Sequence, residues 1–235
     1  MIFEQISLGG QKNFGYFIGC EQHRVAALVD PAFVPDQLVD RVAELGLTLT
    51  QVWLTHGHLD HINGNDRVRE RVPDAEFIGH PDEIDALDRP VKGGETLVLG
   101  NVNAAVLATP GHSPGSLSFL ITESTTDDDA TRAAARSTVP PRLITGDVLF
   151  VGKVGGTGEP QFPGSDPAVQ HRTLFEVLLK LDDHVEVYPG HDFGTAPSST
   201  LGHERQTNPF LLRPKLEDFL WLKENWAEFK VQNGL

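Results

Sequence analysis

The 235-residue sequence predicts a layered α/β architecture, on three observations. Short β-rich runs alternate with segments of helical periodicity, the runs end in glycine-containing loops, and those loops carry clustered histidines and aspartates. Strands laid side by side between helices can present side chains from several strand ends to one point.

Residues 2–8, 14–18 and 25–29 are β-rich and separated by turns, so the chain opens with strands. From Pro35, Leu38, Val39, Val42 and Leu45 recur at helical spacing; Pro35 suits a first turn and Gly46 a stop. An apolar strand over 51–54 runs into THGHLDHING, after which Val68 and Val72 sit among charges on a solvent-facing helix. Strands return at 76–78, 96–99, 102–107, 117–121 and 143–145. Residues 123–141, ESTTDDDATRAAARSTVPP, are rich in Thr, Asp, Ala and Pro and read as a mobile surface insertion, with a short helix over 130–136 as the alternative. Helical patterns follow at 169–181 and 214–229. In the latter, Leu216, Phe219, Leu220, Trp226 and Phe229 form a stripe whose default role is core packing. No composition shift marks a boundary, so residues 1–235 are expected to form a single domain.

The 33 acidic and 19 basic side chains give a formal charge of −14. A field of that sign repels nucleic acid and anionic membrane, and no Lys/Arg run offsets it. Cys20, the one cysteine, cannot close an intrachain disulfide and reads as a small buried hydrophobe. No segment reaches the roughly 18 apolar residues of a membrane span, and the start lacks a basic, then apolar, leader. The expectation is a cytoplasmic protein, monomer or homodimer, without nucleic-acid or membrane partners.

His56, His58, Asp60 and His61 fall within six positions directly after a strand. Imidazole with carboxylate suits zinc, iron or manganese, and alternate residues of a tight turn can address two neighbouring points. His112 in TPGHSPGS, Asp147 in ITGDVLF and His191 in VYPGHDFG repeat a pattern of an apolar run, a glycine and a ligand-type residue. Five histidines and two aspartates on four strand ends can hold two cations at three or four ligands each and leave room for a shared water.

With these motifs in this order, preceded by Asp30 after a strand, the chain resembles the metallo-β-lactamase superfamily from Asn13 to about Pro209. The resemblance implies a four-layer αββα sandwich with metals at one edge of the two sheets. His56, His58 and His112 would bind the first metal, Asp60, His61 and His191 the second, and Asp147 would bridge; Asp60, His61 and Asp147 would serve catalysis. TGDVLFVG and YPGHDFG look most like glyoxalase II, which implies hydrolysis of a glutathione thioester such as lactoylglutathione by two divalent ions, zinc first among them. A water shared by two such ions loses its proton near neutral pH and becomes the nucleophile.

The alternative is a mononuclear iron persulfide dioxygenase using His56, His112 and Asp147. Against it, Gly156 stands where those enzymes have an arginine and where glyoxalase II has a lysine. Lys153 reads as an exposed lysine of a glycine-rich loop, with an anion contact as the alternative. Only 44 residues follow His191, too few for the helical domain with which full-length glyoxalase II grips glutathione, so recognition is expected to rest on contacts near the metals. His23, His80, His171, His184 and His203 fall on no motif and carry no ligand role.

Overall fold

The structure, a computed structural model, describes residues 1–123 and 139–234. The expected insertion at 123–141 falls, for residues 124–138, outside the described residues.

Two six-stranded sheets dominate. The first takes the order β1 (Ile2–Gly9), β2 (Asn13–Cys20), β3 (Val25–Val29), β4 (Thr48–Trp53), β5 (Glu76–Gly79) and β6 (Arg89–Pro90). The second contains β7 (Thr96–Leu99), β8 (Val102–Ala108), β9 (Leu117–Glu123), β10 (Arg142–Gly146), β13 (Glu186–Pro189) and β14 (Ser199–Thr200), in the order β14-β13-β10-β9-β8-β7. A hairpin of β11 (Leu149–Phe150) and β12 (Lys153–Val154) stands apart. In the first sheet β3, β4 and β5 run parallel, and helices α1 (Pro35–Glu44) and α3 (Asn65–Arg71) make the crossovers; the four-residue helix α2 (Leu59–Ile62) precedes α3.

Side-chain alternation turns these sheets into four layers. Every residue of β2 is buried, because Tyr16 and Ile18 face the second sheet while Phe17 faces the helices. Between the sheets, Trp53 of β4 meets Phe119 of β9 with ring centroids 5.6 Å apart. Taking one such ring out of water removes about 200 Å², on the order of 5 kcal/mol at ~25 cal/mol/Å². Leu38, Val39 and Val42 of α1 cover the outer face of the first sheet, as their spacing predicts, and Gly46 at φ 65° ends that helix region. The outer face of the second sheet is covered by Leu174, Leu178, Leu201, Phe219 and Leu222. The order helix, sheet, sheet, helix is the expected αββα sandwich.

Two helical expectations need correction. The segment expected over 169–181 starts earlier, because Asp166 caps the backbone N–H groups of Ala168 and Val169 ahead of Pro167. That helix, α4 (Pro167–Arg172), loosens into a π turn over Thr173–Val177 and tightens to 3₁₀ over Leu178–Lys180. The stripe at 214–229 is two helices, α6 (Leu216–Glu224) and α7 (Trp226–Asn233), preceded by the unforeseen α5 (Leu201–Thr207). The break is at Asn225, whose backbone leaves the helical region (φ −105°, ψ 16°) while its N–H and its Nδ2 both donate to the Trp221 carbonyl, at 3.0 and 2.8 Å. Phe219 enters the core as expected, together with Leu222, which the stripe did not include, whereas Leu216 stays exposed. Cys20 is buried between the sheets.

Helix α6 also delivers Lys223, whose Nζ donates to the Gly155 carbonyl at 2.6 Å and to Gln170 Oε1 at 2.8 Å. Burial pushes this ammonium down to about 7. The unfolded lysine titrates near 10.4, so between about pH 7 and 10 the unfolded chain binds a proton that the folded chain does not, and stability must rise with pH. Unfolding in urea at pH 7 and pH 9 is therefore expected to show wild type gaining on Lys223→Met, by at most about 1.4 kcal/mol per pH unit. A gap that stays flat or narrows would contradict this.

Candidate metal centre

The ends of strands from both sheets converge. After β4, Leu54 pairs with Ile78, and the chain turns at Thr55 into His56, His58 and α2 with Asp60 and His61. From the second sheet, β8 leads to His112, β10 to Asp147 and β13 to His191. The two sheets are stitched at this edge: Leu117 N–H donates to the Thr55 carbonyl, and Phe14 N–H to that of Gly190, both at 2.8 Å. All seven residues singled out in the sequence therefore meet.

They meet as two groups. Donor atoms of His56, His58 and His112 lie within 4.8 Å of one another, as do those of Asp60, His61 and His191. Asp147 lies between: Oδ2 is 3.6 Å from His112 Nε2 and 3.1 Å from His191 Nε2, and Oδ1 is 3.4 Å from His61 Nε2.

Outer partners fix the imidazole tautomers. Thr55 Oγ1 gives its single proton to Asp30 Oδ2 at 2.6 Å, so at 3.0 Å His56 Nδ1–H must donate to Thr55. His61 Nδ1–H donates to Asp30 Oδ2 at 3.0 Å, His112 Nδ1–H to the Gly156 carbonyl at 2.8 Å, and His191 Nδ1–H to the Gln11 carbonyl at 3.0 Å. In the neutral rings all four Nε2 lone pairs then point inward.

That donor set fits divalent cations. His58 Nδ1 lies 3.0 Å from both His56 Nε2 and His112 Nε2, and one proton on it can satisfy only one of those lone pairs. Asp147 Oδ1 is buried without a hydrogen-bond partner. Burial works against charge on His61, but Asp147, Asp30 and Asp60 outweigh it and lift this imidazole to about 9; a field that holds a proton there also holds a metal cation. Burial, with the neighbouring rings, pushes His56 and His112 down. Asp147 stays below the usual carboxylate range, because the surrounding imidazoles overcome its desolvation.

Several supporting residues carried no recognisable signal in the sequence. Asn13 is buried and donates from Nδ2 to Asp60 Oδ2 at 3.0 Å and to the Asp60 carbonyl at 3.1 Å. Glu83 accepts from Gly57 N–H at 2.7 Å and from Gly115 N–H at 2.5 Å, tying the His56/His58 turn to the His112 loop. A Cβ at Gly190 would run into Asp147 Oδ1, so only glycine lets β13 approach this closely. A side chain at Gly156 would run into the Phe162 ring, whose centroid lies 5.2 Å from that of His112. Lys153, read as an exposed loop lysine, is instead half-buried in a cleft of about 530 Å³ above the donor atoms, with Phe150, Phe162 and Trp226.

Glu83→Ala would leave the two loop N–H groups without their carboxylate and free the His56/His58 turn from the His112 loop. Metal affinity measured by chelator competition is expected to fall about 10- to 100-fold, with the circular dichroism of the fold retained. Unchanged affinity would show that Glu83 only decorates the loops.

Residues 14–126 match the family Lactamase_B, the metallo-beta-lactamase superfamily. Among curated proteins, the hydroxyacylglutathione hydrolase GloC of Haemophilus influenzae is 32% identical over 213 residues, covering 81% of this chain and 89% of the relative. The crystal structure of ETHE1 from Myxococcus xanthus superposes with a TM-score of 0.82 at 32% identity, over 96% of this chain and 91% of that one. TTHA1623, solved in a di-iron-bound form, matches with a TM-score of 0.67 at 28% identity, over 88% of this chain and 100% of that one. Among the described residues, no helix is long and apolar enough to cross a membrane. With the αββα sandwich, the donor clusters at its edge and these likenesses together, the chain belongs to the metallo-beta-lactamase superfamily.

Proposed function

We propose that this metal-dependent hydrolase cleaves thioesters of the hydroxyacylglutathione type with two divalent ions, zinc first among the candidates. His56, His58 and His112 would hold one ion, Asp60, His61 and His191 the other, and Asp147 would contact both. The observation that carries the reading is the placement of the Asp147 carboxylate between two donor groups, with Oδ1 buried and without a partner. GloC, named a hydroxyacylglutathione hydrolase, and TTHA1623, solved with two irons, support the substrate class and the ion count respectively.

When bound, two such ions acidify a shared water and polarise the carbonyl under attack. The protein's own part is orientation. Asn13 holds Asp60 so that Oδ2 lies 3.4 Å from His191 Nε2 and 3.7 Å from His61 Nε2, which directs its charge to one side of the cleft. Phe150 and Phe162 line the cleft and put apolar surface beside the donor groups. No serine or cysteine nucleophile is required: Cys20 lies in the core between the sheets.

The mononuclear dioxygenase reading needs only His56, His112 and Asp147. It leaves Asp60, His61 and His191 without a task, although Asn13, Asp30 and the Gln11 carbonyl hold each of them in place. Purified protein is expected to hydrolyse lactoylglutathione and to consume no oxygen with glutathione persulfide. Asp60→Ala should lower kcat at least ~100-fold with an unchanged thermal transition. Oxygen uptake with persulfide and no thioester cleavage would reverse the assignment.

A further inference from the structure

Two polar side chains outside the donor clusters meet among the apolar residues that cover the second sheet. Gln170 of α4 is fully buried, and Lys223 of α6 follows directly on the buried Leu222. Neither lines the cleft above the donor atoms.

Both hold one backbone carbonyl. Lys223 Nζ donates to the Gly155 oxygen at 2.6 Å, across 68 positions of the chain, and Gln170 Nε2 donates to the same oxygen at 3.2 Å. They also orient each other. Lys223 Nζ donates to Gln170 Oε1 at 2.8 Å, which sets the amide with its Nε2 toward the Gly155 and Val148 carbonyls, the latter 3.5 Å away.

The segment they hold is the support of two expected metal ligands. The next carbonyl along, that of Gly156, accepts His112 Nδ1–H at 2.8 Å. Gly155 lies against Asp147: its N–H donates to the Val148 carbonyl at 3.3 Å, and a Cβ there would run into the Asp147 carbonyl. On the other flank α4 is docked on the residue before His112, since Asp166 N–H donates to the Gly111 carbonyl at 2.9 Å and a Cβ at Gly111 would run into the Gln170 backbone. His112 is thus held from both sides by segments that Lys223 and Gln170 tie together.

Packing alone does not call for a lysine here. A buried cation is costly to desolvate, and an apolar side chain of similar size at such a place is often as stable or more so. Burial pushes this ammonium down to about 7, yet the neutral amine keeps two N–H groups, one for each acceptor. The grip therefore does not depend on the charge.

We propose that Lys223, acting through Gln170 and the Gly155 carbonyl, is a positioning residue for His112 and thereby for the ion that His56, His58 and His112 would hold. It touches neither metal nor substrate and stands on no ligand motif. The inference rests on the metal reading above.

The test is imidazole proton–nitrogen NMR of the full chain, with and without zinc, on wild type, Lys223→Met, Gln170→Met and the double variant. The Nδ1–H groups of His112, His61 and His191 each donate to a protein oxygen, so the last two serve as internal references. In Lys223→Met the His112 proton is expected to exchange with water at least about tenfold faster, the scale of one net hydrogen bond, while those of His61 and His191 stay within about twofold. The double variant should go no further than the stronger single one, because both side chains act on one carbonyl. Zinc should pass to a chelator about tenfold more readily from one of two sites. A general loosening of the fold would speed all three protons together. That result, an unchanged His112 proton in both single variants, or unchanged zinc affinity in both overturns the proposal. Selective exchange at His112 in a chain that binds a single zinc, and binds it more weakly in Lys223→Met, keeps the positioning role and removes the two-ion reading.

Discussion

A buried carboxylate facing imidazoles from three directions is the interaction around which the rest of this molecule is arranged. Asp147 is largely buried and its Oδ1 lies out of water with no hydrogen-bond partner, a combination that costs several kcal/mol unless positive charge is brought to it. His61, His112 and His191 supply that field only because Asp30, the Gly156 carbonyl and the Gln11 carbonyl hold their outer nitrogens, so each ring presents Nε2 to the same carboxylate. The proposed pair of ions completes a charge balance that the protein alone leaves open.

This constraint explains the architecture at the site's edge. A single sheet could bring Asp147 and His191 together, since β10 and β13 are parallel neighbours ending side by side. His56, His58 and His61 belong to the other sheet, and only face-to-face packing brings β4 within reach. The apolar layer between the sheets, with Trp53 against Phe119, therefore sets the spacing of the donor clusters as well as the stability of the fold. Glu83 and the Thr55 carbonyl then lock the two loop systems together at hydrogen-bond precision.

The seven residues that meet at the candidate site were legible in the sequence because metal ligation would demand particular residue types next to strand ends, and HGHLDH, GHSPGS, TGDVLF and YPGHD meet that demand locally. The layered α/β class was legible from the alternation of strand and helix periods and from the glycine-containing loops that end the strands. What escaped were residues whose partners lie far along the chain. Nothing near Glu83 points to Gly57 and Gly115, and Asn13 reaches Asp60 across 47 positions. Lys153 looked exposed because a glycine-rich loop gives no hint of the aromatic rings that enclose it. The C-terminal stripe misled in another way: its spacing is helical on both sides of Asn225, and periodicity does not register a side chain that bonds back to its own helix.

The most direct measurement is anomalous diffraction from crystals of the metal-loaded protein, recorded at the absorption edge of the bound metal. The account predicts two peaks about 3.5 Å apart, as in two-metal hydrolases, one by His56, His58 and His112, the other by Asp60, His61 and His191, with the Asp147 carboxylate between them. A single peak at saturating metal, held by His56, His112 and Asp147 while Asp60, His61 and His191 keep only protein partners, would contradict it.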